Sequence, residues 1–337
     1  MTTVPREPNA GSPKRPVTRA DVARYAGVSP AVVSYTINSG SGAVAPATRI
    51  RVEEAIRVLG YRPNAAARTL KMGSTKMFGV VVPDSSNPFF AQLGHALEDA
   101  ASERGYALIV VNVEGSPESY GPSIRNLASR QVDGIVSAAG VSVSSLAALD
   151  AAGIPTVLLN QFEAVDGMVA IGPDLYAGAR TAVEHLIWHG HKKIAFVGET
   201  GPADLRERGW RDALAAAGIP LGPIAAGEYT REGGYTAGRA LMSEAEMPTA
   251  IFASSDQQGV GVLRALHEAG VAIPEQIAIV SFDGSPESEY SWPALTTLEQ
   301  PVRTMAVDAL EKLIHPSDET SFTLYPAELI IRHSCGC

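Results

Sequence analysis

Apolar spacing along the chain changes character near residue 77. Before that point, apolar side chains recur in short blocks at helical intervals. Val22, Ala23 and Ala26 share one face, Val33 and Ile37 a second, and Thr48, Val52, Ala55, Ile56 and Leu59 follow a third, as residues three and four apart do on a helix. The punctuation fits three helices. Thr18 and Asp21 have capping-box spacing, Gly27 permits a tight turn, and Ser29-Pro30 sets a capping hydroxyl before a proline at the first helical position. The third helix starts near Pro46 and stops at Gly60. From Met77 onward, apolar runs of strand length alternate with amphipathic stretches. The runs are Phe78–Val82, Ala107–Val113, Gly134–Ser137, Pro155–Leu159, Lys193–Val197, Ala250–Ala253 and Ile277–Phe282. Continuous apolar strands with helices between them predict parallel sheets covered on both faces. The length of this region favours two doubly wound subdomains over one large sheet, with ligands at the carboxyl ends of the strands.

Charge adds a partner to this picture. The 337 residues carry a net charge of −9, but the charge is split. Residues 1–76 hold 12 bases against 4 acids, and the rest of the chain 15 bases against 32 acids. A basic end on an acidic body is the pattern of a protein whose end meets a polyanion, although a solvated basic arm has the same composition. Residues 1–16, with Pro5, Pro8, Pro13 and Pro16, have no apolar period and are expected to be a disordered arm. They lack the apolar core of a secretory signal, and no apolar run reaches the roughly 18 residues of a membrane span. A cytoplasmic location is therefore expected, with no membrane partner. Cys335 and Cys337 form a C-x-C, expected as free thiols in a reducing compartment rather than as a disulfide framework.

The spacing of Val22, Ala23, Gly27, Val28 and Val33 is that of a helix-turn-helix. It sets Ala31, Ser34, Tyr35 and Asn38 on the exposed face of the second helix, the face that enters a major groove. An ordinary three-helix domain is the competing reading, and the adjoining positive charge favours DNA. Signals for catalysis are missing. No G-x-G-x-x-G or P-loop follows a strand, no G-x-S-x-G elbow is present, and no nucleophile is spaced with a base. His185, His189 and His191 read as H-x-x-x-H-x-H, but no Glu occupies the metalloprotease position and Gly190-His191 has the form of an ordinary helix end. Neither enzyme activity, cofactor nor metal is expected.

Val17-Thr18-x-x-Asp21-Val22-Ala23-x-x-Ala26-Gly27-Val28-Ser29, then Val33-Ser34, Asn38 and Tyr61-Arg62-Pro63-Asn64-x-x-Ala67-Arg68-x-Leu70 resemble the LacI/GalR family of transcriptional regulators. The resemblance continues through Asn87-Pro88-Phe89-Phe90, Val132-Asp133-Gly134, Gly190-His191-Lys192-Lys193-Ile194-Ala195, Phe282-Asp283 and Pro293-Ala294-Leu295-Thr296-Thr297. It implies an α/β protein with a three-helix helix-turn-helix domain over 17–62, a hinge helix or linker over 63–76, and a periplasmic-binding-protein-like core over 77–337. The core would divide into an N-subdomain (about 77–172 and 299–325) and a C-subdomain (about 173–298 and 326–337). The implied function is a homodimeric, ligand-controlled regulator, read as a repressor, on near-palindromic double-stranded operator DNA. DNA contacts carried over from the resemblance fall on Thr18, Arg19, Ser29, Pro30, Ala31, Ser34, Tyr35, Asn38, Thr48, Tyr61, Asn64, Ala67 and Leu70. Leu70 matches a leucine that wedges into the minor groove. Tyr35 departs from the family, which has an arginine there, so a bidentate guanine contact is replaced by a phenol.

The same resemblance places a small-molecule effector, with a lean toward a sugar or polyol, on Asn87, Phe89, Phe90, Asn160, Gln161, Arg206, Tyr229, Ser255, Asp256, Asp283 and Gln300. The chemistry is coherent. Asp283 accepts from hydroxyls, Arg206 donates in a fixed fork, and Phe89, Phe90 and Tyr229 offer apolar faces. Each also has a structural reading: Asp283 as a strand-end cap, Arg206 as a surface ion pair, Phe89 and Phe90 as core, Asp256 as a helix N-cap. Ser255 stands where the family commonly has an amide, and Gln161 where some members have an aromatic. Two other classes compete. A transporter's solute-binding protein shares the core but needs a secretory signal, and an enzyme on a doubly wound fold needs a catalytic constellation. DNA retention that weakens steeply with salt and is lost on removal of residues 1–76 separates the regulator from both.

Overall fold

The computed structural model describes residues 15, 17–38, 44–62, 73–113, 116–201, 204–316 and 320–337. The chain forms two units that divide between Thr75 and Lys76. The first holds α1 (Arg19–Ala26), α2 (Pro30–Asn38) and α3 (Pro46–Leu59). The capping box is formed: the Thr18 amide donates to Asp21 Oδ2 at 2.9 Å, and the Asp21 amide donates to Thr18 Oγ1 at 3.4 Å. Gly27, at φ +65°, turns the chain out of α1. A side chain there would enter the left-handed region at a steric cost. Val22, Ala23, Ala26, Val33, Val52, Ala55 and Tyr61 make this unit's core. The expected hinge contacts Asn64, Ala67 and Leu70 lie outside the described residues, as does all of the expected arm except Arg15.

The second unit contains two six-stranded sheets. One joins β1 (Met77–Val82), β2 (Ala107–Asn112), β3 (Gly134–Ser137), β4 (Thr156–Leu159), β5 (Val169–Pro173) and β11 (Ser321–Tyr325) in the order β11-β5-β4-β3-β1-β2, with every pair parallel. The other joins β6 (Ile194–Gly198), β7 (Ile224–Ala226), β8 (Ala250–Ala253), β9 (Ala278–Asp283), β10 (Thr296–Glu299) and β12 (Glu328–Ile330) in the order β12-β10-β9-β8-β6-β7. Only β10 and β12 run antiparallel. Alternation along β1 shows why each sheet is covered twice. Phe78, Val80 and Val82 pack on α4 (Pro88–Glu103) and α11 (Val302–Ile314), while Val81 faces α5 (Gly121–Ser129) and α6 (Val143–Ala152). In the second sheet, Phe196, Phe252 and Phe282 meet α7 (Leu175–Trp188) and α8 (Leu205–Ala216). Val197, Ile251 and Ile279 meet α9 (Arg231–Leu241) and α10 (Asp256–Glu268) on the opposite face.

These sheets and their helices are termed the N-lobe and C-lobe. The chain passes between them at residues 173–175, 299–302 and 325–328. Two of these passages are tied together where the Asp174 amide donates to the Tyr325 carbonyl at 2.8 Å.

The seven apolar runs are all strands, with ends displaced by at most one residue. Five strands carry no such run. β10 reads Thr-Thr-Leu-Glu, and its buried threonines are tolerated because their hydroxyls are bonded: Thr297 Oγ1 donates to Asp256 Oδ1 at 2.7 Å, and Thr296 Oγ1 accepts from the Arg332 amide at 2.9 Å. β7 spans three residues at a sheet edge, β11 and β12 are half-exposed edges, and β5 ends in Gly172-Pro173, a turn signal.

Candidate functional site

The helix-turn-helix presents α2 outward. Ser29 caps it, accepting from the Val32 amide at 3.4 Å. Ala31 and Tyr35 are exposed, Tyr35 by 48%, while Ser34 is half-buried. Arg19, Ser29 and Pro30 are exposed, and Thr18 and Thr48 half-buried. Asn38 is the last residue of α2. Tyr61 departs from expectation: its ring is buried in the core of the three-helix unit, so it supports the fold rather than offering a free aromatic face.

In the second unit the candidate residues gather at the carboxyl ends of parallel strands. Asn87 follows β1, Asn160 follows β4, Arg206 follows β6, Ser255 follows β8, Asp283 ends β9 and Gln300 follows β10. In each lobe the strand order reverses direction there, between β1 and β3 and between β6 and β8. Open α/β sheets bind ligands in that crevice.

The C-lobe side is a polar network. Asp204 caps α8, its Oδ1 accepting from the amides of Arg206 at 2.8 Å and Glu207 at 2.9 Å. Its Oδ2 accepts from the Tyr229 hydroxyl at 2.9 Å. Arg206 Nη1 donates to the Ser254 carbonyl at 2.9 Å, and Nη2 donates to the Tyr229 hydroxyl. The guanidinium lies 4.6 Å from the centroid of the Tyr229 ring. Burial holds the Tyr229 phenol well above its ordinary range, so it remains a donor. Gln300 Nε2 donates to Asp283 Oδ1 at 2.8 Å. Burial first, and then the charge of Asp256, push Asp283 up to about 8, with Arg206 and the Gln300 bond opposing. Two buried polar atoms near this carboxylate, Arg206 Nε and Gln300 Oε1, have no protein partner. Buried polar groups are nearly always paired, and an exception calls for a partner such as a ligand, an ion or water. Asp283 itself sits at φ +118° and Asn160 at φ +58°. Such backbone costs on the order of 1–3 kcal/mol for a non-glycine residue and concentrates at ligand sites.

Other expected site residues are spoken for. Asp256 is fully buried, accepting at Oδ1 from Ser281 Oγ (2.6 Å) and Thr297 Oγ1 (2.7 Å), and at Oδ2 from the Ser285 amide (2.6 Å) and hydroxyl (2.9 Å). Four donors exhaust a carboxylate, so Asp256 clamps β9, β10 and the Ser285 turn. The helix N-cap is not Asp256 but Ser255, whose Oγ accepts from the Gln258 amide at 3.2 Å. Gln161 turns back on its own lobe, donating from Nε2 to the Leu159 carbonyl at 3.1 Å and the Ala139 carbonyl at 3.4 Å. Phe89 is buried in the N-lobe core, and half-buried Phe90 meets it edge-on at 5.1 Å. Asn87 spends its carboxamide oxygen on the Phe89 amide at 3.0 Å. Sequence reading missed Asp204 and Gln258. Asp204 was legible as the acidic residue just ahead of an amphipathic helix. Gln258, whose Nε2 donates to the carbonyls of Gly227 (2.8 Å) and Glu228 (3.0 Å), gave no signal.

Comparison with known proteins agrees with this anatomy. Residues 18–64 match the model described as bacterial regulatory proteins, lacI family, and residues 183–335 match a periplasmic binding protein-like domain. The chain is 36% identical to catabolite control protein A of Priestia megaterium over 304 residues, covering 88% of this chain and 91% of that one. It is 34% identical to the ribose operon repressor of Escherichia coli K12 over 307 residues, covering 88% and 92%. The lac repressor dimer bound to operator and the anti-inducer ONPF superposes with a TM-score of 0.82 at 29% identity, over 95% of this chain and 99% of that one. The chain belongs to the lacI family of bacterial regulatory proteins and is a DNA-binding transcriptional regulator controlled by a small molecule.

Proposed function

We propose that this regulator is a cytoplasmic homodimeric repressor, without catalytic activity, whose effector is a hydroxyl-rich small molecule of the sugar or polyol class. Two α2 helices would read a near-palindromic operator, with Ala31, Ser34, Tyr35 and Asn38 toward the bases and Arg19 and Thr48 toward phosphates. Leu70 is proposed as the minor-groove wedge. The effector would sit at the carboxyl ends of both sheets, with Arg206, Tyr229, Asp283 and Gln300 binding it from the C-lobe and Asn87, Phe90 and Asn160 closing over it.

The observation that carries the effector class is the unmet hydrogen-bonding capacity around Asp283. One acceptor-rich carboxylate, one free guanidinium N–H and one free amide oxygen match neighbouring hydroxyls, each both donor and acceptor. The ribose operon repressor among the relatives supports the same class.

A thermal-shift screen of the full-length protein against pentoses, hexoses, polyols and nucleobases tests the reading, because a ligand selective for the folded state raises the melting temperature. A polyhydroxylated hit that also alters operator retention, and fails with Asp283→Ala, is the expected result. A hit confined to nucleobases overturns the sugar class. Retention on operator DNA that is insensitive to salt overturns the DNA reading.

A further inference from the structure

We propose that His185, His189, Cys335 and Cys337 form a structural zinc site that staples the segment after β12 to the end of α7. The nitrogen and sulfur atoms these four side chains offer all lie within 4.8 Å of one another. His189 Nε2 is 3.0 Å and His185 Nε2 3.6 Å from Cys337 Sγ. A tetrahedral zinc bound at about 2.3 Å to sulfur and about 2.0–2.1 Å to nitrogen holds its donors about 3.4–3.8 Å apart. The cluster is therefore within small side-chain adjustments of that geometry. Two sulfurs and two imidazoles are the Cys2His2 set of closed structural zinc sites, and this soft donor set disfavours magnesium and calcium.

Each half of the site is positioned by the fold. His185 and His189 stand one turn apart, with His189 capping the carboxyl end of α7. That end carries the negative pole of the helix and favours a cation. The cysteine half is pinned through Ser334, whose hydroxyl donates to the Ile279 carbonyl at 2.7 Å and accepts from the Thr296 amide at 2.8 Å. Cys335 is buried in the C-lobe core. Gly336, at φ +92°, turns the chain between the two cysteines so that both sulfurs reach the histidines. A residue with a Cβ is strained in that conformation. The Trp188 ring stacks on His185 at 6.2 Å and meets His189 edge-on at 4.8 Å. Both thiols are free. His191 is outside the cluster, with Nδ1 3.1 Å from Thr249 Oγ1. The H-x-x-x-H and C-x-C spacings were each weak alone because about 150 residues of sequence separate them, and only the fold pairs them.

The test is metal analysis of tag-free full-length protein, purified under reducing conditions, loaded with zinc and passed over chelating resin. The expected result is about one zinc per chain. Cobalt(II) in its place should give the intense visible bands of a tetrahedral ion and a thiolate charge-transfer band. Cys337→Ser and His189→Gln, both at the outer side of the site, should each cut metal content at least about tenfold while far-UV circular dichroism stays native. His191→Gln should retain it. A chelator should lower the melting temperature of the parent protein but not of Cys337→Ser. Wild-type protein that retains no stoichiometric zinc while both thiols titrate as reduced overturns the site. So does zinc retention unchanged by Cys337→Ser, or an octahedral cobalt spectrum.

Discussion

The two walls of the effector site are built on opposite principles. On the N-lobe side, side chains that sequence reading marked as ligand contacts are largely satisfied by their own lobe: Asn87 caps α4, Gln161 bonds the backbone, and Phe89 is core. On the C-lobe side, Arg206 and Gln300 keep buried polar atoms without protein partners beside Asp283, which adopts a strained backbone. A wall with unmet hydrogen-bonding capacity captures a polar ligand, and a satisfied, partly apolar wall shields it. The C-lobe should therefore determine affinity, and the N-lobe should determine how completely the lobes close.

The largest effect separates clamp from site within the C-lobe. Asp256→Ala leaves the Thr297 hydroxyl and the Ser285 amide and hydroxyl buried without this acceptor, and Ser281 with only the Thr296 carbonyl at 3.4 Å. At about 1–3 kcal/mol for each of these stranded groups, a loss of at least about 3 kcal/mol is expected, read as a lower denaturation midpoint. A stable Asp256→Ala protein with a lost effector response would instead move Asp256 into the site.

Next comes Arg206→Ala, which removes a charged fork from the capturing wall. Charge-assisted hydrogen bonds contribute about 1.5–3 kcal/mol each, so effector affinity should fall roughly 100-fold, with operator binding unchanged without effector. Phe90→Ala, on the shielding wall, loses part of one apolar face, about 1–2 kcal/mol, and should weaken affinity only about tenfold. Calorimetric titration of the three proteins with the same sugar orders these effects. Equal losses for Arg206→Ala and Phe90→Ala would break the asymmetry between the walls.

This asymmetry also explains what sequence could show. Local patterns were readable wherever one residue's neighbours along the chain determine its environment: the Thr18–Asp21 box, the Gly27 turn and the apolar strands β1, β3 and β8. Positions at the ends of apolar runs were readable too, since Asn160 and Asp283 follow directly from β4 and β9, whereas Gln300, after the unread strand β10, came only from the family resemblance. What sequence hid was who satisfies whom. Asp256 and Asp283 are both buried acids in the same lobe, yet one takes four protein donors at its carboxylate and the other takes the Gln300 amide and the Asp256 backbone amide. Their partners lie 17 to 41 residues away in sequence, and no spacing rule reaches that far. The same blindness separated His185 from Cys337.

The smallest effect is a pH dependence, and it tests the C-lobe wall without a known ligand. Asp283 is pushed up to about 8 in the folded protein, by burial first and by the charge of Asp256 second, from an ordinary value of 3.8. The native state therefore holds this proton more tightly than the unfolded chain does. The stabilisation is complete below about 3.8, declines as pH rises toward 8 and is gone above it. One proton's linkage corresponds to a melting-temperature fall of roughly 2–5 °C per pH unit between pH 6 and 8. Asp283→Asn cannot ionise, so subtracting its pH profile from that of the parent protein isolates this group from every other titrating residue. The sign for a ligand is opposite. Hydroxyls that donate to the carboxylate favour its ionised form, so binding near pH 7 should release a proton and tighten as pH approaches 8. Titration calorimetry in buffers of different ionisation enthalpy counts that proton directly. Proton uptake on binding, or parallel pH profiles for the parent and Asp283→Asn proteins, would show that Asp283 is an inert strand cap and that capture rests on Arg206 and Tyr229.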